Sequence, residues 1–250
     1  MKAIILAAGV GQRLGNHAAG RPKCLLELGG VSLLRRHLHH LRDSTVTEVI
    51  IVTGYRQETI LSELTGFDAG FTIQTRFNPN FINGSIVSLW HARDALCSGD
   101  DIILMDADVL YDKAVIQKLI TTDLPNCFLL DREFEPGDEP VKLCVLDGRL
   151  VEFRKHLDRE LVFDMQGESV GFFRFSSLMA SRLAHRTQEY MDQHRRDAAY
   201  EEAIRDLLLA EPGMFGYEDI TGLPWIEIDF PEDIRRAETE ILTNIKIDIH

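Results

Sequence analysis

The opening of this chain constrains its fold more than any other stretch. Residues 2–6 form an apolar run, Lys2-Ala3-Ile4-Ile5-Leu6, that passes directly into a turn built from Ala7, Ala8, Gly9 and Gly11. Small residues let backbone N–H groups come close to a ligand, and glycine tolerates the positive φ that such a loop needs. Arg13 and Lys23 then bracket the turn with positive charge. A rigid guanidinium fork and a mobile ammonium grip phosphates in different ways. The loop therefore reads as a nucleoside triphosphate site.

Two better-known glycine motifs fit less well. Gly9-x-Gly11 followed by Gly15 misses the dinucleotide fingerprint by one position, and Pro22 breaks any helix before the cluster ends. Thr53-Gly54 stands where a ribose-binding acid would close the second strand. No Gly-Lys-Ser/Thr follows, so the loop is not of the Walker type either.

Short apolar runs alternate with amphipathic segments along the chain, the pattern of β-α units around a mostly parallel sheet. Strands are expected at Lys2–Leu6, Glu48–Thr53, Phe71–Arg76, Asp101–Met105 and Asn126–Leu130. Helices are expected at Val31–Leu41, Gln57–Leu64, Ser85–Leu96 and Lys113–Ile120, the last capped by Asp112. Beyond residue 125 the pattern changes. Glu133–Pro140 is an acidic loop, Val141–Val145 and Leu150–Phe153 read as a hairpin around Asp147-Gly148, and Ser169–Phe175 is a further strand. Polar helices are expected at 176–195 and 198–210, a last strand at Trp225–Ile228, and a terminal helix with Pro231 in its first turn. The expected fold is α/β: a Rossmann-like, mostly parallel mixed sheet flanked by helices, with a smaller α+β elaboration on the substrate side. One nucleotidyl-binding core (1–130), an acceptor-side elaboration (131–225) and a C-terminal segment (226–250) are expected within a single domain.

Composition narrows the chemistry. With 27 Lys and Arg against 40 Asp and Glu, the net charge is −13, and no basic run offers a nucleic-acid surface. An acidic protein that holds a polyanion needs local cations, so a divalent metal is expected. Cys24, Cys97, Cys127 and Cys144 are scattered and form no Cys-x-x-Cys pair, which argues against structural zinc and for reduced thiols. The first apolar run is too short and too glycine-punctuated for a secretion signal, and no run approaches the roughly 18 apolar residues of a membrane span. A cytoplasmic enzyme without membrane or nucleic-acid partners, monomer or homodimer, is the expectation.

At this point a resemblance can be stated. Leu6-Ala7-Ala8-Gly9-Val10-Gly11-Gln12-Arg13-Leu14 with Pro22-Lys23 resembles the signature of the sugar-phosphate nucleotidyltransferases. Within them, the chain is most similar to the phosphocholine and phosphonate cytidylyltransferases. Asn78-Pro79 through Asn83 with Ser88-Leu89, Gly167-Glu168-Ser169-Val170-Gly171, Tyr200-Glu201-Glu202 and Glu227-Ile228-Asp229-x-Pro231-Glu232-Asp233 carry that similarity. Asn83-Gly84-Ser85 departs from the paired asparagines of that branch and is similar to inositol-phosphate cytidylyltransferases, which leaves the acceptor open. The resemblance implies a Mg²⁺-dependent transfer of CMP from CTP to a small phospho-alcohol or phosphonate, with release of pyrophosphate.

Asp106 and Asp108 end a buried strand, where open α/β sheets bind ligands. The two are expected to divide their roles, one structural or nucleotide-facing and the other free for metal. The resemblance assigns the metal to Asp108. Asp229, at another strand end, would complete the pair. Lys23 is the candidate transition-state cation, and Arg13 the holder of the departing phosphates. Leu6, Ala7, Ala8, Gly9, Gly11, Asn83, Gly84, Ser85 and Asp106 are the candidate nucleotide contacts, of which Ala7, Ala8, Gly84 and Ser85 would read base and ribose. Lys142, Lys155, Glu168, Glu201 and Trp225 are the acceptor candidates. Lys142 fits a solvated strand face equally well. Trp90, Phe173, Tyr200, Tyr217 and Trp225 either frame an ammonium-binding pocket or pack the core. His37, His39 and His40 read as a surface cluster. A sugar- or inositol-phosphate acceptor, or a nucleotide-binding subunit without turnover, are the alternatives.

Overall fold

Strand β1 (Lys2–Ala7) lies inside a nine-stranded sheet, and its C-terminal end points into the candidate site. The structure, a computed structural model, describes residues 1–18, 20–68 and 70–245, with side chains at all of these except 16–18. The last five positions of the expected C-terminal segment lie outside the described residues. After β1 come single helical turns at Gln12–Ala18 and Lys23–Leu25, then the short pair β2 (Glu27–Leu28) and β3 (Val31–Ser32). Helix α1 (Leu33–Arg42), β4 (Glu48–Thr53), α2 (Gln57–Leu64), β5 (Thr72–Phe77), α3 (Ser85–His91) and α4 (Arg93–Leu96) follow. They lead to β6 (Ile102–Asp106), β7 (Val109–Tyr111) and α5 (Lys113–Thr121). The second half supplies β8 (Cys127–Asp131), β9 (Lys142–Leu146), β10 (Arg149–Arg154), β11 (Met165–Phe175), α6 (Ser177–Asp192) and α7 (Tyr200–Ala210). It ends with β12 (Gly216–Asp219), β13 (Trp225–Glu227) and α8 (Pro231–Arg236).

The sheet order is β10-β9-β11-β6-β1-β4-β5, with β8 beside β11 and β12 beside β8. Strands β4, β5 and β6 run with β1. Strand β11 runs against β6, and β8 and β9 run against β11, so both share the direction of β1, as does β12. Only β10 and β11 oppose the rest, and the sheet is mixed and mostly parallel. From β1 the chain leaves through β4 and β5, then returns to β6 on the other side. That reversal is the switch point at which such sheets open a crevice beyond their carboxyl ends. Leu6 and Asp106 lie side by side there.

Alternate side chains of each strand go to opposite faces. Ile4, Ile50, Val52, Ile102 and Leu104 pack with α3, α4, α6 and α7, whereas Ala3, Ile5, Ile51, Ile103 and Met105 pack with α1 and α5. A smaller cluster of Leu14, Leu28, Leu33, Leu110 and Ile228 joins the opening loop to the C-terminal segment. The Asp147-Gly148 turn has φ of 49° and 73°, the double positive φ of a tight hairpin. Asp112 caps α5 by accepting from the Ala114 N–H at 2.9 Å.

Several expectations are corrected. The helix expected over Ser85–Leu96 breaks at Ala92 (φ −96°, ψ 9°), where the last turn of α3 tightens and the Ala92 N–H donates to Leu89. Strand β11 starts at Met165 rather than 169 because its first residues pair with β9. Strands β7 and β12 were not expected: both are too short to show an alternation. The histidines of α1 are not a surface cluster. His37 and His40 are buried, Nδ1 of His37 lies 3.1 Å from the Tyr111 hydroxyl, and His40 meets the same ring edge-on. Burial pushes His37 down to about 3 and His40 to about 4, which keeps both neutral.

Candidate active site

A short antiparallel ladder joins two distant parts of the chain. Strand β13 pairs with β7 as Trp225 with Tyr111, Ile226 with Leu110 and Glu227 with Val109. The ladder is closed at one end by the Ile228 N–H donating to the Asp108 carbonyl at 3.0 Å, and at the other by the Asp112 N–H donating to Pro224 at 2.9 Å. It brings Asp108 and Asp229 to the same point. Ile226 and Ile228 turn into the core, so Trp225, Glu227 and Asp229 share the opposite face. Asp233 in the first turn of α8 accepts from the N–H groups of both Asp229 (2.9 Å) and Phe230 (2.7 Å), which fixes the backbone that carries Asp229.

Lys23 reaches the same point from the opening loop. Pro22 precedes its turn, and Cys24 and Leu25 anchor that turn in the core. Gly11 has φ of 67°, and a Cβ there would lie 3.3 Å from Lys23 Cβ, so glycine lets the lysine stem lie against the loop. Lys23 Nζ is 2.7 Å from Asp108 Oδ2 and 2.7 Å from Asp229 Oδ1. Burial alone would favour the neutral amine, but the charges of Asp108, Asp229 and Glu227 outweigh it and hold the ammonium protonated well above the ordinary lysine range. Arg13 Nη1 donates to Glu139 Oε2 at 3.0 Å and lies 3.5 Å from Asp229 Oδ2, with its guanidinium 5.4 Å from the Phe230 ring centre. Lys155 Nζ lies 3.3 Å from the same Glu139 oxygen.

Asp108, Glu227 and Asp229 each offer a carboxylate oxygen within 4.8 Å of the others. Asp108 Oδ1 is buried without a hydrogen-bond partner. Glu227 keeps solvent access, but the surrounding protein and the charges of Asp108 and Asp229 push it up to about 8. Crowded acids with an unused buried oxygen are what a cation relieves, and hard oxygen donors suit Mg²⁺.

Asp106 has a different environment. The Tyr200 hydroxyl donates to its Oδ2 at 2.6 Å. Gly171, at φ of 78°, passes so close that an added Cβ would sit 2.3 Å from that oxygen. Enclosure, then Asp108 and Glu201, raise its pKa well above the carboxylate range. Glu201, expected as an acceptor residue or a helix-surface acid, has Oε2 buried with no protein partner. Enclosure raises it also, with Lys155 opposing.

Beside these groups lies a pocket of about 600 Å³, lined by Asp131, Glu168, Trp225, Glu227, Asp229 and Phe230 and by the loop from Glu133 to Pro140. Trp225 Nε1 donates to Asp131 Oδ2 at 2.7 Å, which stands the indole against the wall. Enclosure and Asp131 push Glu168 up to about 7. Lys142 does not line this pocket; its ammonium donates to the carbonyls of Gly137 (2.8 Å), Pro140 (3.3 Å) and Lys155 (2.7 Å) and so ties down the acidic loop.

The structure thus brings together Arg13, Lys23, Asp108, Asp229 and Lys155, with Glu168 and Trp225 in the adjoining pocket. Ala7 and Ala8 are buried at the end of β1, where the Ala8 carbonyl accepts from Tyr55, while Gly9 is exposed and Leu6 half-buried. Asn83, Gly84 and Ser85 enter α3 against the residues before α7: the Gly84 N–H donates to Arg196 at 2.8 Å, and Ser85 Oγ accepts from the Tyr200 N–H at 2.9 Å. Of the five aromatics, only Trp225 lines the pocket. Phe173 is fully buried, Trp90 donates to Gln188, and Tyr217 packs against the core from β12. Glu227 stands in the C-terminal motif that carries the resemblance but is given no role of its own there, and period-two alternation across Trp225, Glu227 and Asp229 could have supplied one. Asp131 and Glu139 are not among the candidates read from the sequence.

Comparison with known proteins gives the family and the fold. Residues 3–152 match the family of MobA-like NTP transferase domains. CMP-5'-(3-aminopropyl)phosphonate synthase of Streptomyces rubellomurinus is 29% identical over 246 residues, covering 95% of this chain and 38% of that protein. CTP:phosphoglutamine cytidylyltransferase of Campylobacter jejuni is 24% identical over 254 residues, covering 94% of this chain and 98% of that protein. The chain thus spans well under half of the first relative and nearly all of the second. The solved CTP:phosphocholine cytidylyltransferase of Streptococcus pneumoniae shares the fold with a TM-score of 0.74, at 20% identity over 96% of this chain and 98% of that one.

Proposed function

The chain belongs to the MobA-like NTP transferase family, and on that premise we propose that it is a divalent-metal-dependent cytidylyltransferase whose acceptor is a small phospho-alcohol or phosphonate bearing an amine. The observation that carries this reading is the meeting of Lys23, Asp108 and Asp229 within 2.7 Å contacts at the mouth of an acidic, aromatic pocket. An oxygen of the acceptor's phosphate or phosphonate attacks the α-phosphorus of CTP in line, and pyrophosphate leaves. The acceptor is itself an anionic nucleophile, so no covalent enzyme intermediate is required. Lys23 neutralises charge on the phosphorus under attack, and Arg13 holds the departing phosphates. Asp108 and Asp229, with Glu227 beside them, would hold Mg²⁺, which supplies charge neutralisation to the triphosphate. The opening turn of Ala7, Ala8, Gly9 and Gly11, with Leu6 behind it, presents backbone to the nucleotide, and Asn83, Gly84 and Ser85 flank it. Asp106, held by Tyr200, supports this floor.

The pocket favours an amine over a polyol. Trp225, Phe134 and Phe230 offer ring faces, while Asp131 and Glu168 offer carboxylates, the combination that recognises an ammonium group. Arg236 lines the pocket and Lys155 is joined to its wall through Glu139, so either cation can meet the acceptor's own phosphate. Pyrophosphate release from CTP, UTP, GTP and ATP, each against phosphocholine, 2-aminoethylphosphonate, inositol phosphate and hexose 1-phosphates, tests the reading. Turnover with CTP and an amine-bearing acceptor is expected. Preference for inositol or hexose phosphate would overturn the acceptor, and nucleotide binding without turnover on any of them would overturn the enzyme.

A further inference from the structure

Lys23 holds two of the carboxylates that would bind a metal. Its ammonium is 2.7 Å from one oxygen of Asp108 and 2.7 Å from one oxygen of Asp229, and only 12% of the side chain is exposed. An octahedral Mg²⁺ binds carboxylate oxygens at about 2.0–2.1 Å. An ion drawing on those same two oxygens would place a second cation on one pair of carboxylates. Lysine and metal therefore compete for them. We propose that Lys23 is an internal counter-ion of the metal carboxylates, and that arrival of the metal on Asp108 and Asp229 displaces its ammonium toward the phosphates. The inference rests on the metal reading above and goes beyond it, because it makes release of the lysine a consequence of metal loading.

Three features support the exchange. Lys23 is held by its stem, not only by its head: Cys24 and Leu25 are buried and Gly11 lies against its Cβ, so the side chain swings about a fixed root. The neighbouring carboxylate of Glu139 is already shared by Arg13 and Lys155 and so does not compete for the displaced ammonium. Finally, Glu227 sits within the same 4.8 Å group and Asp108 Oδ1 is buried without a hydrogen-bond partner, so an incoming cation finds oxygens beside the two that the lysine holds. The lysine is thereby kept out of the phosphate site until the metal is in place, and the carboxylate pair is open to metal in only a fraction of molecules. The apparent metal affinity is reduced by that fraction.

The test is Mn²⁺ binding to the full chain without nucleotide, read from the spin-resonance signal of free Mn²⁺. Lys23→Met is expected to bind Mn²⁺ at least about tenfold more tightly than the unmutated protein. Lys155→Met, which removes the same charge without touching either carboxylate, should stay within about twofold. On the unmutated protein, the Lys23 ammonium signal in a lysine side-chain NMR spectrum should move with the same Mg²⁺ midpoint. Equal Mn²⁺ affinity in Lys23→Met and the unmutated chain, or a Lys23 signal unmoved at saturating Mg²⁺, would overturn the exchange. If Mn²⁺ still binds with CTP in an Asp229-dependent way, the metal reading survives that failure. If Asp229→Asn binds Mn²⁺ with CTP as tightly as the unmutated protein, the metal reading itself falls, and the exchange with it.

Discussion

At one end of the site stand Arg13 and Lys23, both supplied before β2, on a loop of small residues and glycines. At the other, the pocket is walled by Asp131, Glu133, Glu135, Asp138, Glu139 and Glu168, with Arg236 its one basic lining residue. The first region is short in sequence and made for an anion. The second is assembled from β8, β11, β13 and a loop, and is made for a cation. The net charge of −13 is thus not spread evenly: acids gather around the pocket, and Arg13 and Lys23 stand together beside it. Charge balance for the whole chain says little about a site; its distribution says a great deal.

Lys23→Ala strikes the cationic end hardest. Pyrophosphate release should fall by about 10²–10³-fold with the circular dichroism spectrum unchanged. Near-normal release would remove the distinction between the two ends. Asp108→Asn or Asp229→Asn should come next, with turnover down about 10²-fold and chelation by EDTA abolishing what the unmutated protein does. Activity that persists in EDTA would show that the cations suffice alone. Gly171→Ala forces a Cβ onto the Asp106 oxygen at a φ of 78°, and thermal melting should show a loss of about 1–3 kcal/mol. An unshifted melt would mean that β11 gives way more easily than its packing implies.

The smallest effect belongs to the acidic end and is the most diagnostic. Glu168→Gln should raise KM about tenfold for an amine-bearing acceptor and leave KM for CTP unchanged. Because Glu168 ionises near pH 7, its charge appears as pH rises, so KM for the amine should fall between pH 6 and 8 in the unmutated enzyme and stay flat in the variant. Stability runs the other way. The unfolded chain loses this proton near 4.5 and the folded chain near 7, so the folded state binds more protons in that window and loses stability as pH rises through it. Glu168→Gln should flatten that slope in melts recorded between pH 4.5 and 7.

The two regions also differ in how much of them could be read from sequence. The strand-and-turn at Lys2–Gly11, the strand Glu48–Thr53 and helix Gln57–Leu64 are local patterns, with periodicity and turn residues in one window, and the structure has them where expected. The pairing of Asp108 with Asp229 had only the resemblance to suggest it, since no local rule connects β7 to β13. Glu139, Asp131 and the role of Lys142 were invisible because each depends on where a loop folds back. The histidines of α1 misled for the opposite reason. Polar residue type suggested surface, and only the packing of Tyr111 and Phe172 against that helix shows otherwise. Tyr200 was a candidate pocket ring and proves to be a support for Asp106 instead.

The β7–β13 ladder has one more consequence. Three residue pairs set its alignment, and side chains along β13 alternate between core and site. A slip by a single residue would carry Ile226 and Ile228 into the crevice and drive Glu227 and Asp229 into the hydrocarbon interior. No half-assembled version of this centre is available to a misfolded copy: the backbone alignment that lets the far end of the chain dock is the same one that arms it, so the ladder proofreads folding and competence together.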